Sequence, residues 1–173
     1  GRMFFSSKRP FYQSAKPLRL EPIEKDVYFD FASTHFQKAG KNLSKEAFTY
    51  VYDTFWGVTL YVQRMMKDAY IETPEGKVCD VDMVKILIEN YIKENDSHLR
   101  EQLSFITEAQ KELLYAIYVE GEVQSITSSA FNKKHRLRSP SSTQSAALKL
   151  LEYDLITRKE KTYSISDPLL SLW

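Results

Sequence analysis

The sequence predicts a mainly α-helical chain in two parts. A helical bundle occupies the region up to residue 105, and three helices closed by a β-hairpin occupy residues 106–173. Three observations carry this expectation. Between residues 24 and 105 apolar side chains recur three and four positions apart, the spacing of one helix face. Cap-forming residues precede helical stretches in both parts: Ser44, Asp80 or Asp82, Thr107 and Ser139. Beyond Asp154 the period changes to alternation on both sides of a short polar turn, which marks a hairpin. The composition can fill such cores, with 43% hydrophobic residues, 11 Tyr, 10 Phe and only 5 Gly.

The elements follow in order. Pro10, Pro17 and Pro22 each disfavour helix at the preceding residue, so the first 23 residues are expected to be extended or irregular. A short strand over residues 17–21 would turn Leu18 and Leu20 to one face. This start is that of a loose arm or of a segment cut from a longer chain. A first helix begins near Glu24, with Val27, Phe29, Phe31, Ala32 and Phe36 as its apolar stripe and Gly40 as its stop. Ser44 caps a second over residues 45–56, burying Phe48, Val51, Tyr52 and Phe55. Gly57 breaks it, and a third over residues 59–70 packs through Leu60, Tyr61, Met65 and Ala69. A turn at residues 73–76 and an extended piece at 77–79 lead to a fourth helix. That helix runs to about Asn95 with Val84, Ile88 and Tyr91 inward. Asn95-Asp96-Ser97 weakens it before a further helical stretch to Phe105.

The second part opens on a capping pair, Thr107 with Gln110. Its first helix uses Leu113, Leu114, Ile117 and Tyr118 and stops at Gly121. A second, residues 128–135, buries Ala130 and Phe131. Ser139 caps a third, with Pro140 at the first helical position and Ala147, Leu148 and Leu151 inward. The hairpin turns at Lys159-Glu160-Lys161 and points Tyr163 and Ile165 to the core. Three helices and a hairpin in about 60 residues are the winged-helix layout, in which the third helix can enter a DNA groove.

Charge is segregated along the chain. The net charge is +1, made up of +5 over residues 1–20, −8 over residues 21–123, −1 at Asp167 and +5 over residues 124–161. The last segment can attract a polyanion, whereas the middle repels one. Ser141, Ser142, Thr143 and Gln144 crowd the start of the third helix, where side chains of an inserted helix meet phosphates and base edges. Lys133, Lys134, Arg136 and Arg138 precede it, and Arg158, Lys159 and Lys161 sit at the wing. These eleven residues are the candidate DNA contacts.

Little points to catalysis. His35, His98 and His135 are scattered, and Cys79 has no second cysteine, so no zinc-ligand or disulfide pattern arises and a reducing, cytoplasmic setting is expected. The acid pairs Asp80/Asp82 and Glu94/Asp96 read as caps and solvated faces. No apolar run approaches the roughly 18 residues of a membrane span.

Several stretches carry a resemblance. Arg9-Pro-Phe-Tyr12 and Leu18-Arg-Leu20-x-Pro22-Ile23 resemble the segment after the last core strand of prokaryotic, archaeal-type AAA+/STAND P-loop ATPases. Phe31-Ala32-x-x-x-Phe36-x-x-Ala39-Gly40 and Tyr61-Val62-Gln63 are similar to their helical lid. Leu103-Ser-Phe-Ile-Thr107, Ile126-Thr-Ser-Ser129, Ser139-Pro-Ser-Ser142 and Asp167-Pro-Leu-Leu-x-Leu-Trp173 are similar to their C-terminal winged helix. The resemblance implies an edge of the ATPase core and a lid over residues 1–105 and a winged helix over 106–173. It also implies an upstream core that binds ATP and Mg, with Arg9 and Arg64 nearest the nucleotide. No G-x-x-x-x-G-K-[ST] loop occurs in the 173 residues, so this segment is expected to be non-catalytic and to need no cofactor of its own. The lid would pass nucleotide state to a winged helix that docks on DNA or on a protein. The alternative is a stand-alone winged-helix DNA-binding transcriptional regulator whose N-terminal helices dimerise or sense a ligand.

Overall fold

Short-range capping chemistry sets where the helices start. The side chain of Ser44 accepts from the Ala47 amide at 3.1 Å, Asp80 from Met83 at 2.9 Å, Ser128 from Phe131 at 3.2 Å and Ser139 from Ser142 at 3.2 Å. Each satisfies an amide that has no partner inside its helix. Gln110 Oε1 likewise accepts from the Thr107 amide at 2.9 Å. The computed structural model describes residues 21–173, so the expected strand at Leu18 and Leu20 and the candidate Arg9 lie outside the described residues.

The chain is mainly α-helical. The first part contains α1 (Lys25–Lys38), β1 (Asn42–Leu43), α2 (Lys45–Thr54), α3 (Thr59–Glu72), β2 (Val78–Cys79) and α4 (Val81–Ser104). The second contains α5 (Glu108–Glu120), β3 (Glu122–Val123), α6 (Ser129–Lys134), α7 (Pro140–Glu152), β4 (Ile156–Lys159), β5 (Thr162–Ile165) and α8 (Pro168–Leu172).

In the bundle Phe36, Phe48, Val51, Phe55, Val62, Met65, Val84 and Leu99 form one close-packed core. The expected stripe on α1 is met at Ala32 and Phe36, with Phe29 half-buried against the core. Tyr28, Ala32 and Phe36 face inward, while Val27 and Phe31 are each 62% exposed. Tyr28 meets Phe48 edge to face at 5.6 Å, and the small Ala32 lets the helix approach. On α3 the expected Leu60 is 69% exposed, and Val62 and Met66 bury with Tyr61, Met65 and Ala69 instead. The helix α4 does not weaken at Asn95-Asp96-Ser97. Asn95 donates to the Tyr91 carbonyl at 2.8 Å, Asp96 pairs with Arg100 one turn on at 2.8 Å, and Leu99 anchors the same stretch in the core. The residues before α2 and α4 also pair as parallel two-residue strands, Asn42 opposite Val78 and Leu43 opposite Cys79. The piece at 77–79 is expected from sequence, but its partner is not.

The second core gathers Leu113, Ile117, Phe131, Ala147, Leu150, Ile156, Tyr163 and Ile165. The hairpin forms as expected, with Tyr163 and Ile165 buried and a two-residue turn between Lys159 and Thr162. A third strand, β3, pairs with β5, giving the antiparallel order β3-β5-β4. Three expected core residues face outward: Tyr118, Ala130 and Leu148. Ala116, Asn132, Ala146 and Leu150 are the inward residues of those helices instead.

The short α8 ties the two cores together. Asp167 caps it by accepting from the Leu169 amide at 2.8 Å. Leu169 is buried in the core of the bundle, and Leu170 packs against both cores. The same Asp167 carboxylate accepts the Tyr61 hydroxyl at 2.8 Å, and burial, reinforced by this bond, raises the phenol pKa. Trp173 Nε1 donates to Asp96 at 2.8 Å, with the Arg100 guanidinium 5.4 Å over its ring.

Candidate nucleic-acid interface

The corner between α6 and α7 is built on a buried polar pair. Asn132 donates to the carbonyls of Ile126 and Ser128, both at 2.9 Å, and its Oδ1 accepts the Thr143 hydroxyl at 2.6 Å. Asn132 is 6% exposed and Thr143 4%. Thr143, a candidate DNA contact in the sequence, therefore points into the core and fixes α7 against α6. Arg136 follows at φ +54°, with the Leu137 amide closing back on the Asn132 carbonyl at 2.9 Å. This left-handed residue ends α6 and turns the chain toward α7. It leaves Lys133, Arg136 and Arg138 exposed around a depression of about 300 Å³ that Ser129 and Pro140 also line.

The wing supplies the second group of cations. Arg158 donates to the Glu160 carbonyl at 2.9 Å and lies over the Tyr163 ring at 5.2 Å, so its guanidinium is braced along the hairpin. Lys159 and Lys161 are exposed beside the turn. Lys133, Arg136, Arg138, Lys159 and Lys161 make no ion pair among the described residues. Lys134 differs, because its Nζ is 2.6 Å from Glu120 Oε1, an oxygen that His135 Nε2 also approaches at 2.6 Å. Hydrogen bonds from Lys134 and His135 hold the Glu120 carboxyl below its ordinary pKa. The charge of Lys134 is thus balanced within the protein.

The exposed face of α7 carries the remaining candidates. Ser141 and Ser145 are exposed, Ser142 and Gln144 half-exposed, and Leu148 is 59% exposed. Several hydroxyls bond locally: Ser141 Oγ lies 3.1 Å from Ser139 Oγ, and Ser145 Oγ donates to the Ser141 carbonyl at 3.0 Å. Of the residues expected inward, Ala147 is buried and Leu151 half-buried against the core, while Leu150 takes the inward place that Leu148 does not.

Residues 97–173 match the family model of a probable winged helix domain. The match begins inside α4 and takes in the capped helices, the three-stranded sheet and α8. A winged helix is a module for docking on DNA or on protein. No curated protein matches the chain significantly.

The remaining candidate, Arg64, lies on α3 in the bundle. It pairs with Asp68 at 2.7 Å, faces Glu94 at 3.8 Å and sits 5.6 Å over the Tyr91 ring. Glu72 lines the same surface depression. A nucleotide phosphate placed there would meet three carboxylates beside one guanidinium, so this surface does not fit it. No helix among the described residues is long and apolar enough to cross a membrane.

Proposed function

We propose that the winged helix docks on duplex DNA and that the bundle is the lever that positions it. The observation that carries this reading is the placement of cations. Lys133, Arg136 and Arg138 flank one end of the α7 face and Arg158, Lys159 and Lys161 sit on the wing, with no carboxylate partner among the described residues. Such a set suits phosphates on both sides of a groove.

Fluorescence anisotropy of the full chain on a labelled duplex tests the reading. With about five phosphates neutralised, the slope of log affinity against log salt is about −4.5, so affinity falls roughly 500-fold between about 50 and 200 mM salt. Arg136→Ala should reduce that slope by about one, and Lys134→Ala should leave it nearly unchanged, because Lys134 is already paired with Glu120. Absence of binding even at 50 mM salt would refute DNA docking and favour a protein partner.

The resemblance supports a wider reading, in which residues 1–173 are the non-catalytic C-terminal portion of an AAA+-like ATPase. The upstream core would hold ATP and Mg, and no residue of 21–173 is assigned to them. The α8 contacts support mechanical coupling, since Leu169 and Asp167 attach the winged helix to the bundle directly. Joining an upstream P-loop region should confer ATP hydrolysis that residues 1–173 lack. Hydrolysis by residues 1–173 alone would overturn this division of labour.

A further inference from the structure

The exposed face of α7 offers few groups able to distinguish one base from another. Ser141 and Ser145 bond within their own helix, Lys149 pairs with Glu152 at 2.9 Å, and Thr143 is buried. Two side chains stand apart. Gln144 is half-exposed, and its amide makes no hydrogen bond among the described residues. Leu148 is 59% exposed, although the same helix buries Ala146, Ala147 and Leu150.

Gln144 and Leu148 are four residues apart, so they lie on one line of the helix about 6 Å from each other. That distance spans one to two base-pair steps of about 3.4 Å each. Their chemistries are complementary to an A·T pair. A glutamine amide can donate to and accept from adenine at N7 and N6 together, and an apolar side chain fits the thymine methyl. The pairing most suited to guanine, a free Arg or Lys projecting from the helix face, is missing here because Lys149 is paired.

We propose that Gln144 and Leu148 supply the base discrimination of the winged helix, reading one A·T pair or two adjacent ones, while the flanking cations supply affinity without regard to sequence. This rests on the DNA-docking reading above. Its consequence is a binder with weak, short and A·T-directed sequence preference.

The test uses the full chain and a pool of duplexes with a randomised centre, followed by anisotropy on the selected duplex and on an all-G·C duplex. The expected preference for A·T at one or two adjacent positions is about tenfold. Gln144→Ala and Leu148→Ala should each lower affinity for the selected duplex toward that for the G·C duplex, leaving the G·C affinity and the salt slope unchanged. Thermal melting should match the parent, since both side chains project outward. The double change Lys159→Ala/Lys161→Ala should instead weaken every duplex alike and reduce the slope by about two. Binding with no sequence preference, a preference for G·C, or a preference that survives both substitutions overturns this inference while leaving DNA docking intact. Absence of binding to any duplex at low salt overturns both.

Discussion

Truncating Asn132 should destabilise the protein by about 3 kcal/mol. The side chain makes three hydrogen bonds at the α6–α7 corner, two to the Ile126 and Ser128 carbonyls and one from the Thr143 hydroxyl. The Ser128 carbonyl retains the Asn132 main-chain amide at 3.0 Å, so Asn132→Ala removes the partners of the other two. Each such buried group costs about 1–3 kcal/mol, and two at the middle of the lower half give the figure above. For a chain of this size that loss lowers the melting temperature by about 6–12 °C. Thr143→Val keeps the shape, loses one bond and should cost about 1–1.5 kcal/mol. The double variant should lose about 1 kcal/mol less than the sum, because both changes break the same contact. Urea and thermal unfolding followed by circular dichroism measure all three. A loss below about 1 kcal/mol for Asn132→Ala refutes the reasoning. So does a Thr143→Val variant of unchanged stability and weakened DNA affinity, which would return the hydroxyl to the docking face.

Gly57 has φ +68°, and a Cβ there would stand 2.7 Å from the end of the Tyr52 ring, so Gly57→Ala should cost about 1–2 kcal/mol in urea unfolding. Tyr61→Phe removes the hydroxyl that Asp167 accepts and should cost about 2 kcal/mol, with faster amide exchange in α8 as the local signature. Glu160 holds φ +53° in the hairpin turn, and Glu160→Gly should raise stability by about 0.5–1 kcal/mol and strengthen DNA binding by removing an acid from the wing. Glu120 has a lowered folded pKa, so its contribution to stability is present above its unfolded value of about 4.5 and is lost as pH falls through the folded one. The stability of Glu120→Gln, measured from about pH 6 to 3, should therefore fall less steeply than that of the parent, and parallel curves would count against the pairing with Lys134 and His135.

What the sequence revealed was chiefly what acts within three or four residues. Ser44, Ser139 and one of Asp80 and Asp82 announce their helices because a cap needs only its own following turn, and Asp80 proves to be the cap. The winged-helix order was readable for the same reason. Which side of a helix is buried depends on what lies opposite, so helical spacing and apolar character point Val27, Leu60, Tyr118 and Leu148 inward although all four are exposed. The strands β1, β2 and β3 are two residues long, too short to show alternation, and exist only through distant partners. At the candidate interface the cations were visible in sequence, but their availability was not. Lys134 and Lys133 are neighbours, and only Glu120, brought over from α5, distinguishes them. Thr143 could equally have faced DNA or core until Asn132 was placed beside it.

The attachment of Leu169 to the bundle has a consequence during synthesis. Every helix of the bundle leaves the ribosome well before residue 169, and the Tyr61–Asp167 contact closes over 106 residues. At about 5–20 residues per second, the nascent bundle waits for several seconds with the seat of Leu169 unfilled. Chaperone capture or premature termination in that interval would act on a bundle whose helices are all made but whose seat for Leu169 is still empty.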